Sequence, residues 1–204
     1  MHFKLVVFYG SARSSRQGIR AARFIQAQCR RRGHQADLIE PLSHPLPILD
    51  RMYKEYGRGE APPVLQQMAD LIIPADGYVV VTGEYNHTVP PGLSNLMDHF
   101  LDEYFFKPSG IVSYSAGSFG GVRAAMTLRA MLAEMGTPSI PSTLPIPQVQ
   151  KAFAEDGTPH DEAWLRRTDK FLDEFEWYAR AMKRERETPC VRGACDAKSN
   201  GPAA

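Results

Sequence analysis

Serine, arginine and glutamine side chains are concentrated in one short segment, residues 10–18, which begins and ends with glycine. Hydroxyl and guanidinium groups donate hydrogen bonds to phosphate oxygens, and a helix starting after such a segment adds free backbone N–H groups. The segment lacks Gly-Lys-Ser/Thr and the G-x-G-x-x-G pattern, which favours a monophosphate over a pyrophosphate. The alternative interpretation is a solvated helix cap with unrelated arginines. The candidate phosphate ligands are Ser11, Arg13, Arg16, Gln17 and Gly18.

A second segment, residues 82–92, combines an aromatic ring with a run of backbone groups. A flat heteroaromatic ligand needs an aromatic or apolar contact on its face and hydrogen bonds along its edge. Tyr85 can supply the face. The backbone that can supply the edge belongs to Glu84, Asn86 and His87. Taken in isolation, the segment is equally compatible with a turn that ends a strand and starts a helix.

A third segment, residues 113–121, is rich in serine and glycine. Small residues allow the backbone to approach a ligand closely. By itself this segment is also compatible with a flexible turn before a helix. The candidate ligand contacts are Ser115, Gly117, Ser118 and Gly120.

Hydrophobic patterning places each of these segments after a strand. Nearly continuous β-branched and aromatic runs predict strands buried on both faces, and three-and-four spacing of apolar residues predicts helices between them. The expected strands are residues 3–9, 35–40, 77–82, 111–114 and 139–149. The expected helices are residues 18–32, 64–73, 91–106, 122–135 and 164–184. The last strand contains prolines, so it belongs at a sheet edge.

The alternation of strands and helices predicts an α/β fold. Five strands suit a flavodoxin-like three-layer sandwich with a parallel sheet in the order 2-1-3-4-5. We expect one domain over residues 1–186 and a disordered tail over residues 187–204. In such a sheet, ligands bind beyond the carboxyl ends of the strands, at the switch point between strands one and three. The three segments should therefore converge on one site.

Composition and charge exclude several classes of protein. The chain has 204 residues, 43% hydrophobic and 23% charged, with a formal net charge of +1. These values argue against disorder and against recruitment of nucleic acid or an anionic membrane. No stretch reaches the ~20 apolar residues of a membrane span, and the first residues do not resemble a signal peptide, so a cytoplasmic location is expected. Three cysteines and six histidines show neither a disulfide framework nor metal-ligand spacing, so no metal is predicted.

Together the three segments resemble those of the NADPH-dependent FMN reductase family, which includes related quinone, chromate and azo reductases. The first is similar to the family's G-S-x-R-x-x-R-x-G variant. The second is similar to its E-Y-N-H-[ST] stretch followed by P-G-x-L-x-N-x-x-D, with the leucine placed differently, and the third to its loop ending in Gly-Gly-x-Arg-Ala. The matching residues are Gly10, Ser11, Arg13, Arg16, Gly18, Glu84, Tyr85, Asn86, His87, Thr88, Pro91, Gly92, Asn95, Asp98, Gly120, Gly121, Arg123 and Ala124. The family usually has proline before Glu-Tyr-Asn, where this chain has Gly83.

The resemblance, over roughly residues 3–150, implies an oxidoreductase that binds FMN and takes a hydride from NADPH or NADH. The hydride then passes to a small-molecule acceptor in a ping-pong cycle, and no side chain is required as a catalytic residue. Flavin, quinone, azo dye, metal oxyanion and arsenical acceptors all remain open. The resemblance also implies that the first segment holds the FMN phosphate, that the second borders the isoalloxazine ring and that the third approaches its pyrimidine edge or second face.

Oligomerisation is suggested by the expected helix over residues 91–106, which is apolar on more than one side. One side faces the sheet, and the other is available to a second subunit. Flavin sites of the family lie at such interfaces, which implies a homodimer or homotetramer.

Three other functions remain open on the residues alone. A non-enzymatic FMN electron carrier of the flavodoxin type would share the fold and the cofactor, although such carriers tend to be strongly acidic and this chain is nearly neutral. A hydrolase or transferase with a phosphate loop is the second, and its protein-phosphatase version is disfavoured because the first segment has no cysteine. A flavin-free nucleotide-binding regulator is the third.

Overall fold

Five parallel strands form one sheet in the part of the chain that the computed structural model describes, residues 1–188. They are β1 Lys4–Tyr9, β2 Gln35–Ile39, β3 Gly77–Thr82, β4 Ser109–Tyr114 and β5 Ser139–Ile146. Their order is β2-β1-β3-β4-β5, and every neighbouring pair is parallel. This confirms the predicted topology. β3 and β4 are buried along their whole length because helices cover both faces of the sheet.

Helices cover the sheet in two layers. They are α1 Ile19–Arg31, α2 Pro63–Ile72, α3 Pro91–Asp98, α4 Val122–Glu134, α5 Val149–Ala152 and α6 Ala163–Glu187. α1, α5 and α6 pack on one face, whereas α2, α3 and α4 pack on the other. Alternate side chains of β1 serve the two cores, Val7 on the α1 side and Val6 on the α2 side. The three-layer α/β sandwich is thereby confirmed. Most of the expected tail, with Cys190 and Cys195, lies outside the described residues.

The helix expected over residues 91–106 is shorter than predicted, because α3 ends at Asp98. The Asn95 carbonyl oxygen accepts the Nδ1–H of His99 at 2.7 Å, and the Met97 carbonyl oxygen accepts the Tyr104 hydroxyl at 3.2 Å. Side chains thus occupy carbonyl groups that a longer helix would use. Leu101 has φ −145° and leaves the helical path before a single 3₁₀ turn, Asp102–Tyr104. The spacing of apolar residues continues past Asp98 because side chains such as that of Tyr104 still enter the core.

The chain itself covers the second apolar side of α3. The long segment 42–60 crosses it, and both ends of the Asn95 amide hold this segment: Oδ1 accepts the Leu49 N–H at 2.9 Å and Nδ2 donates to the Pro47 carbonyl at 2.8 Å. Tyr53 stacks on Phe100 with ring centroids 5.5 Å apart. The apolar pattern that suggested a dimer therefore has an intramolecular explanation.

β5 forms one edge of the sheet, as its prolines predicted, but it ends at Ile146 and not at residue 149. Gln148 has a φ of +47°, and α5 begins directly after it. Side chains from neighbouring helices occupy polar backbone groups of β5. Arg129 donates to the carbonyl oxygens of Ile140 and Pro141, Arg167 donates to that of Pro145, and Glu174 accepts the Ser142 N–H at 3.3 Å.

Lys107 is buried just before β4, at the opposite end of the sheet from the three segments. Its Nζ donates to the carbonyl oxygens of Ile72, Ile73 and Glu103 at 2.8–3.0 Å and lies 3.1 Å from the Tyr78 hydroxyl. Burial, with a smaller effect from the charge of Arg186, lowers the pKa of Lys107 to about 8. No helix between residues 1 and 188 has the length and apolar character needed to cross a membrane.

Candidate functional site

Tyr114, the last residue of β4, is the point where the three segments meet. A Cβ atom on Gly18 would lie 2.0 Å from Tyr114 Cζ, and one on Gly83 would lie 2.9 Å from the Tyr114 hydroxyl oxygen. A Cβ atom on Gly121 would lie 2.6 Å from the Tyr114 carbonyl oxygen, at a φ of +73° that itself favours glycine. The structure thus brings the segments after β1, β3 and β4 together. It also explains why residue 83 is glycine, since a proline ring there would meet Tyr114.

The first segment leads from β1 into α1 and exposes Arg13 and Gln17 to solvent. Ser11, in contrast, is only 4% exposed. Ser11 Oγ lies 3.3 Å from the hydroxyl oxygen of Tyr85, in the second segment, and accepts the Arg13 N–H at 3.5 Å. Ser11 therefore joins the first and second segments.

A groove of about 160 Å³ opens beside the first segment at the start of α1. The N-cap residue of α1 is Gly18, which has no side chain to cap the helix, and the first turn of α1 contains no acidic residue. Backbone N–H groups and the positive end of the helix dipole are therefore available to an anion. The groove is lined by Ser14, Ser15, Arg16, Gln17, Ile19, Arg20, Arg23 and Glu155.

Arg16 has a protein partner, Glu40, the residue that follows β2. Its Nη1 and Nη2 both donate to the Glu40 carboxylate, with Nη2 3.1 Å from Oε1. Burial acts to raise the pKa of the Glu40 carboxyl, but hydrogen bonds from Arg16 and from the Leu42 N–H outweigh it, so this pKa lies below its ordinary value of 4.5. Arg16 thereby fixes the first segment to the end of β2.

The second segment contains a tight hairpin turn. The N–H of Tyr85 donates to the Thr88 carbonyl at 3.1 Å, and the N–H of Thr88 donates back at 3.0 Å. Asn86 and His87 occupy the two central positions with φ values of +51° and +66°, the signs required by a type I′ turn. Asparagine adopts this conformation readily, whereas histidine does so at an energetic cost. Both residues are exposed, and Tyr85 is half-buried.

Glu84 binds the first turn of α4. Its Oε1 accepts the Nε–H of Arg123 at 2.7 Å and lies 2.6 Å from Nη2, and its Oε2 accepts the Arg123 backbone N–H at 3.2 Å. Burial acts to raise the pKa of Glu84, but the Arg123 side chain and the backbone N–H groups of Ala124 and Arg123 lower it below its ordinary value. Glu84 therefore carries a negative charge near neutral pH.

Ser115 shapes the third segment through its hydroxyl group, which accepts the Gly120 N–H and donates to the Gly117 carbonyl, both at 2.9 Å. The same Gly117 carbonyl accepts the Gln148 N–H at 2.9 Å. Gly117 and Ser118 are exposed, whereas Gly120 is buried with a φ of +64°. The third segment is thus held to the turn that follows β5.

Two buried phenol groups lie beneath the segments. The hydroxyl groups of Tyr9 and Tyr114 are 3.4 Å apart. Burial raises the pKa of Tyr9 and raises that of Tyr114 well above its ordinary value. Both phenols are therefore protonated near neutral pH and act as neutral hydrogen-bonding groups.

The roles of Glu40 and Tyr114 were not predicted from the sequence. A charged residue ending a buried strand was an available signal for Glu40, and an aromatic residue ahead of a glycine-rich segment was one for Tyr114. Arg123 belonged to the matched Gly-Gly-x-Arg-Ala pattern but had no assigned role. Within residues 1–188, no group of three or more histidine, cysteine, aspartate or glutamate side chains is placed to hold a metal ion.

Comparisons of sequence identify relatives of this chain. It matches the NADPH-dependent FMN reductase family over residues 3–151. A quinone reductase of Escherichia coli strain K12 is 40% identical over 75 residues, which are 35% of this chain and 40% of that protein. An NADPH azoreductase of Bacillus sp. strain OY1-2 is 30% identical over 78 residues, which are 38% of this chain and 44% of that protein. Each match therefore spans less than half the length of the relative.

Comparisons of structure support the same fold. FerB, a flavoenzyme NAD(P)H:(acceptor) oxidoreductase from Paracoccus denitrificans, has a TM-score of 0.68 and 22% identity, over 86% of this chain and 98% of that one. A flavodoxin from Pseudomonas aeruginosa has a TM-score of 0.51 and 16% identity, over 90% and 99% of the two chains. The match over residues 3–151 includes all three segments, and it shows that the chain belongs to the NADPH-dependent FMN reductase family.

Proposed function

We propose that this chain is an FMN-dependent oxidoreductase that takes a hydride from NAD(P)H and delivers it to a small acceptor in a ping-pong cycle. The observation that carries the proposal is the meeting of three segments at Tyr114, beside the uncapped N-terminus of α1. A ligand with a phosphate at one end and a planar ring at the other suits this arrangement. A flavin, a quinone or an azo compound is the proposed acceptor, and the names of the two relatives support the last two classes.

The first segment fits the phosphate group of FMN. Its groove combines serine hydroxyl groups, arginine side chains and the start of α1, where the helix dipole is positive. We assign the phosphate to Ser11, Arg13, Arg16, Gln17 and Gly18, of which Arg16 and Gln17 line the groove and the other three belong to the same segment. Because Arg16 already binds Glu40, its contribution is to hold the segment in place and to add positive charge nearby.

The second and third segments fit the isoalloxazine ring. Tyr85 offers an aromatic surface held by Ser11, and the hairpin turn presents the backbone of Glu84, Asn86 and His87. On the opposite side, small residues leave room for a ring, since no atom of residues 1–188 lies within 4 Å of a Cβ atom placed on Gly117. The proposed contacts on that side are Ser115, Gly117, Ser118 and Gly120.

FMN, when bound, supplies the chemistry of accepting and donating a hydride. The chain binds and orients the ring, and backbone N–H groups of the third segment would stabilise negative charge at its pyrimidine edge. Tyr9 and Tyr114 remain protonated beneath the site because of their raised pKa values. We assign no side chain as a general acid or base. Selectivity among acceptors would then depend on which molecules can reach the exposed face of the flavin ring.

We also propose that the protein assembles as a homodimer or homotetramer. α3 no longer supports this proposal, but a different apolar strip does. Phe119, Val122 and Met126 are 66%, 41% and 54% exposed, and they adjoin the third segment and the start of α4. A second copy packed on this strip would border the ring site. The test is the molar mass from light scattering at micromolar concentration, and a monomer would contradict the proposal.

The function is tested by a visible absorption spectrum of the purified protein with FMN, before and after anaerobic addition of NADPH or NADH. Bands of bound flavin that bleach on addition would support the proposed reductase. Bound flavin that does not bleach would favour an electron carrier of the flavodoxin type. Failure to bind FMN would contradict the proposal and leave the phosphate site without an assigned ligand.

A further inference from the structure

The ion pair of Glu84 and Arg123 supplies the cap that α4 otherwise lacks. The N-cap residue is Gly121, which has no side chain to accept hydrogen bonds from the first turn, and the first turn of α4 contains no acidic residue. The Glu84 carboxylate accepts the Arg123 N–H and places a negative charge where the helix dipole favours it. This cap comes from 39 positions earlier in the chain. The start of α4 is therefore fixed in space by the second segment.

The two partners are unequally enclosed. The Glu84 side chain is 9% exposed and the Arg123 side chain is 45% exposed. Arg123 Cζ also lies 5.1 Å from the centroid of the Phe119 ring, within the range of a cation–π contact. The guanidinium group thus links a nearly buried carboxylate of the second segment to an exposed aromatic residue of the third.

Glu84 lies within one segment that borders the proposed ring site, and Arg123 lies just after the other. Glu84 directly precedes Tyr85 and the tight turn at Asn86 and His87. Arg123 lies two positions after Gly121, the end of the third segment, where Gly120 and Gly121 have φ values of +64° and +73°. The pair therefore ties the beginning of one proposed side of the ring site to the end of the other.

We infer that Glu84 and Arg123 are positioning residues that set the spacing between the second and third segments, and thereby the affinity of the site for the isoalloxazine ring. This inference rests on the proposed FMN site. Without the pair, the two segments adopt the ring-binding spacing in only a fraction of molecules. The apparent affinity for the ring is then the intrinsic affinity multiplied by that fraction. Arginine is required because its planar group can donate from two nitrogens to one carboxylate, whereas lysine cannot.

The test measures the Kd of FMN for the apoprotein by fluorescence titration. Arg123→Gln and Glu84→Gln should each weaken binding at least tenfold, and Arg123→Lys should lie between these variants and the wild type. The matched control is Arg129→Gln, on the same helix, because Arg129 binds backbone oxygens of β5 and not the second segment. The control should bind FMN within twofold of the wild type.

Urea unfolding of each apoprotein separates positioning from general stability. An affinity loss in Arg123→Gln without an extra loss of stability relative to Arg129→Gln would support the inference. A Kd within twofold of the wild type in Arg123→Gln and Glu84→Gln would overturn it, and so would an equal loss of affinity in Arg129→Gln. Wild-type protein that fails to bind FMN would instead overturn the proposed function, and the inference with it.

Discussion

The phenol ring of Tyr114 fills the space that any side chain at Gly18 would need. A Cβ atom on Gly18 would lie 2.0 Å from Tyr114 Cζ and 2.4 Å from the hydroxyl oxygen. Contacts between real Cβ atoms and their neighbours are not this short, so the ring or the start of α1 would have to move. The backbone of the first segment at Gly18 therefore packs directly against the Tyr114 ring at the end of β4.

Gly18→Ala should lower the free energy of unfolding by about 1–3 kcal/mol, because a methyl group there overpacks a buried contact. The measurement is urea unfolding of the apoprotein. The matched control is Gly117→Ala in the third segment, where the added atom has no neighbour within 4 Å in the described part of the chain. Equal stability losses in the two variants would show that the Tyr114 contact is not what requires glycine.

Glu40→Gln should destabilise the protein by about 2 kcal/mol at pH 7, since it removes the charge that pairs with the nearly buried Arg16. The folded pKa of Glu40 lies below 4.5, so the pair stabilises the fold above this pH and the stabilisation is lost as the pH falls through the folded pKa. The difference between wild type and variant should therefore shrink in acid. Glu155→Gln is the control: Glu155 is 90% exposed and 3.7 Å from Arg20, so its loss should change stability little.

His87→Gly should raise the free energy of unfolding by about 1 kcal/mol, because glycine adopts a positive φ without the cost that histidine incurs. The new Asn-Gly pair is the preferred sequence of a type I′ turn. His87→Ala separates this effect from loss of the imidazole ring, because alanine keeps the unfavourable conformation. Thermal unfolding of the apoproteins measures both, and a gain in the alanine variant would contradict the backbone explanation.

Lys107→Met should change how stability depends on alkaline pH. Folded Lys107 loses its proton near pH 8, whereas in the unfolded chain it does so near 10.5. Between these values the unfolded state holds more protons, so the free energy of unfolding of the wild type should rise with pH relative to the variant. Urea unfolding from pH 7 to 10.5 measures the difference. A difference that stays flat or falls would show that Lys107 is not destabilised by burial.

The arrangement of the sheet followed from the sequence because its cause is local. Continuous apolar runs such as Gly77–Thr82 identify strands buried on both faces, and the carboxyl ends of parallel strands share one edge. The length of α3 did not follow, because its end depends on Tyr104 and His99 turning back to bind helix carbonyls. Apolar spacing alone cannot distinguish a continuous helix from a helix followed by a packed turn.

The partners that charged residues bind within the site could not be predicted from the sequence either. Arg16 was predicted to meet a phosphate, but its link to Glu40 joins two loops 24 residues apart. Glu84 was predicted from its backbone, whereas its carboxylate reaches Arg123, 39 residues away. Charged residues pair with groups that lie near them in the folded state. That proximity depends on how the strands are arranged in the sheet.

The occupied backbone groups of β5 have a consequence for association between molecules. An exposed sheet edge is a template on which a strand from another chain can add, and this is a common route to aggregation. Here Pro141 and Pro145 have no N–H to offer, and arginine and glutamate side chains already bind other groups along the strand. A foreign strand would have to displace these side chains to bind the backbone groups that they occupy. We therefore expect the edge of β5 to resist the addition of strands from other molecules, even at high protein concentration.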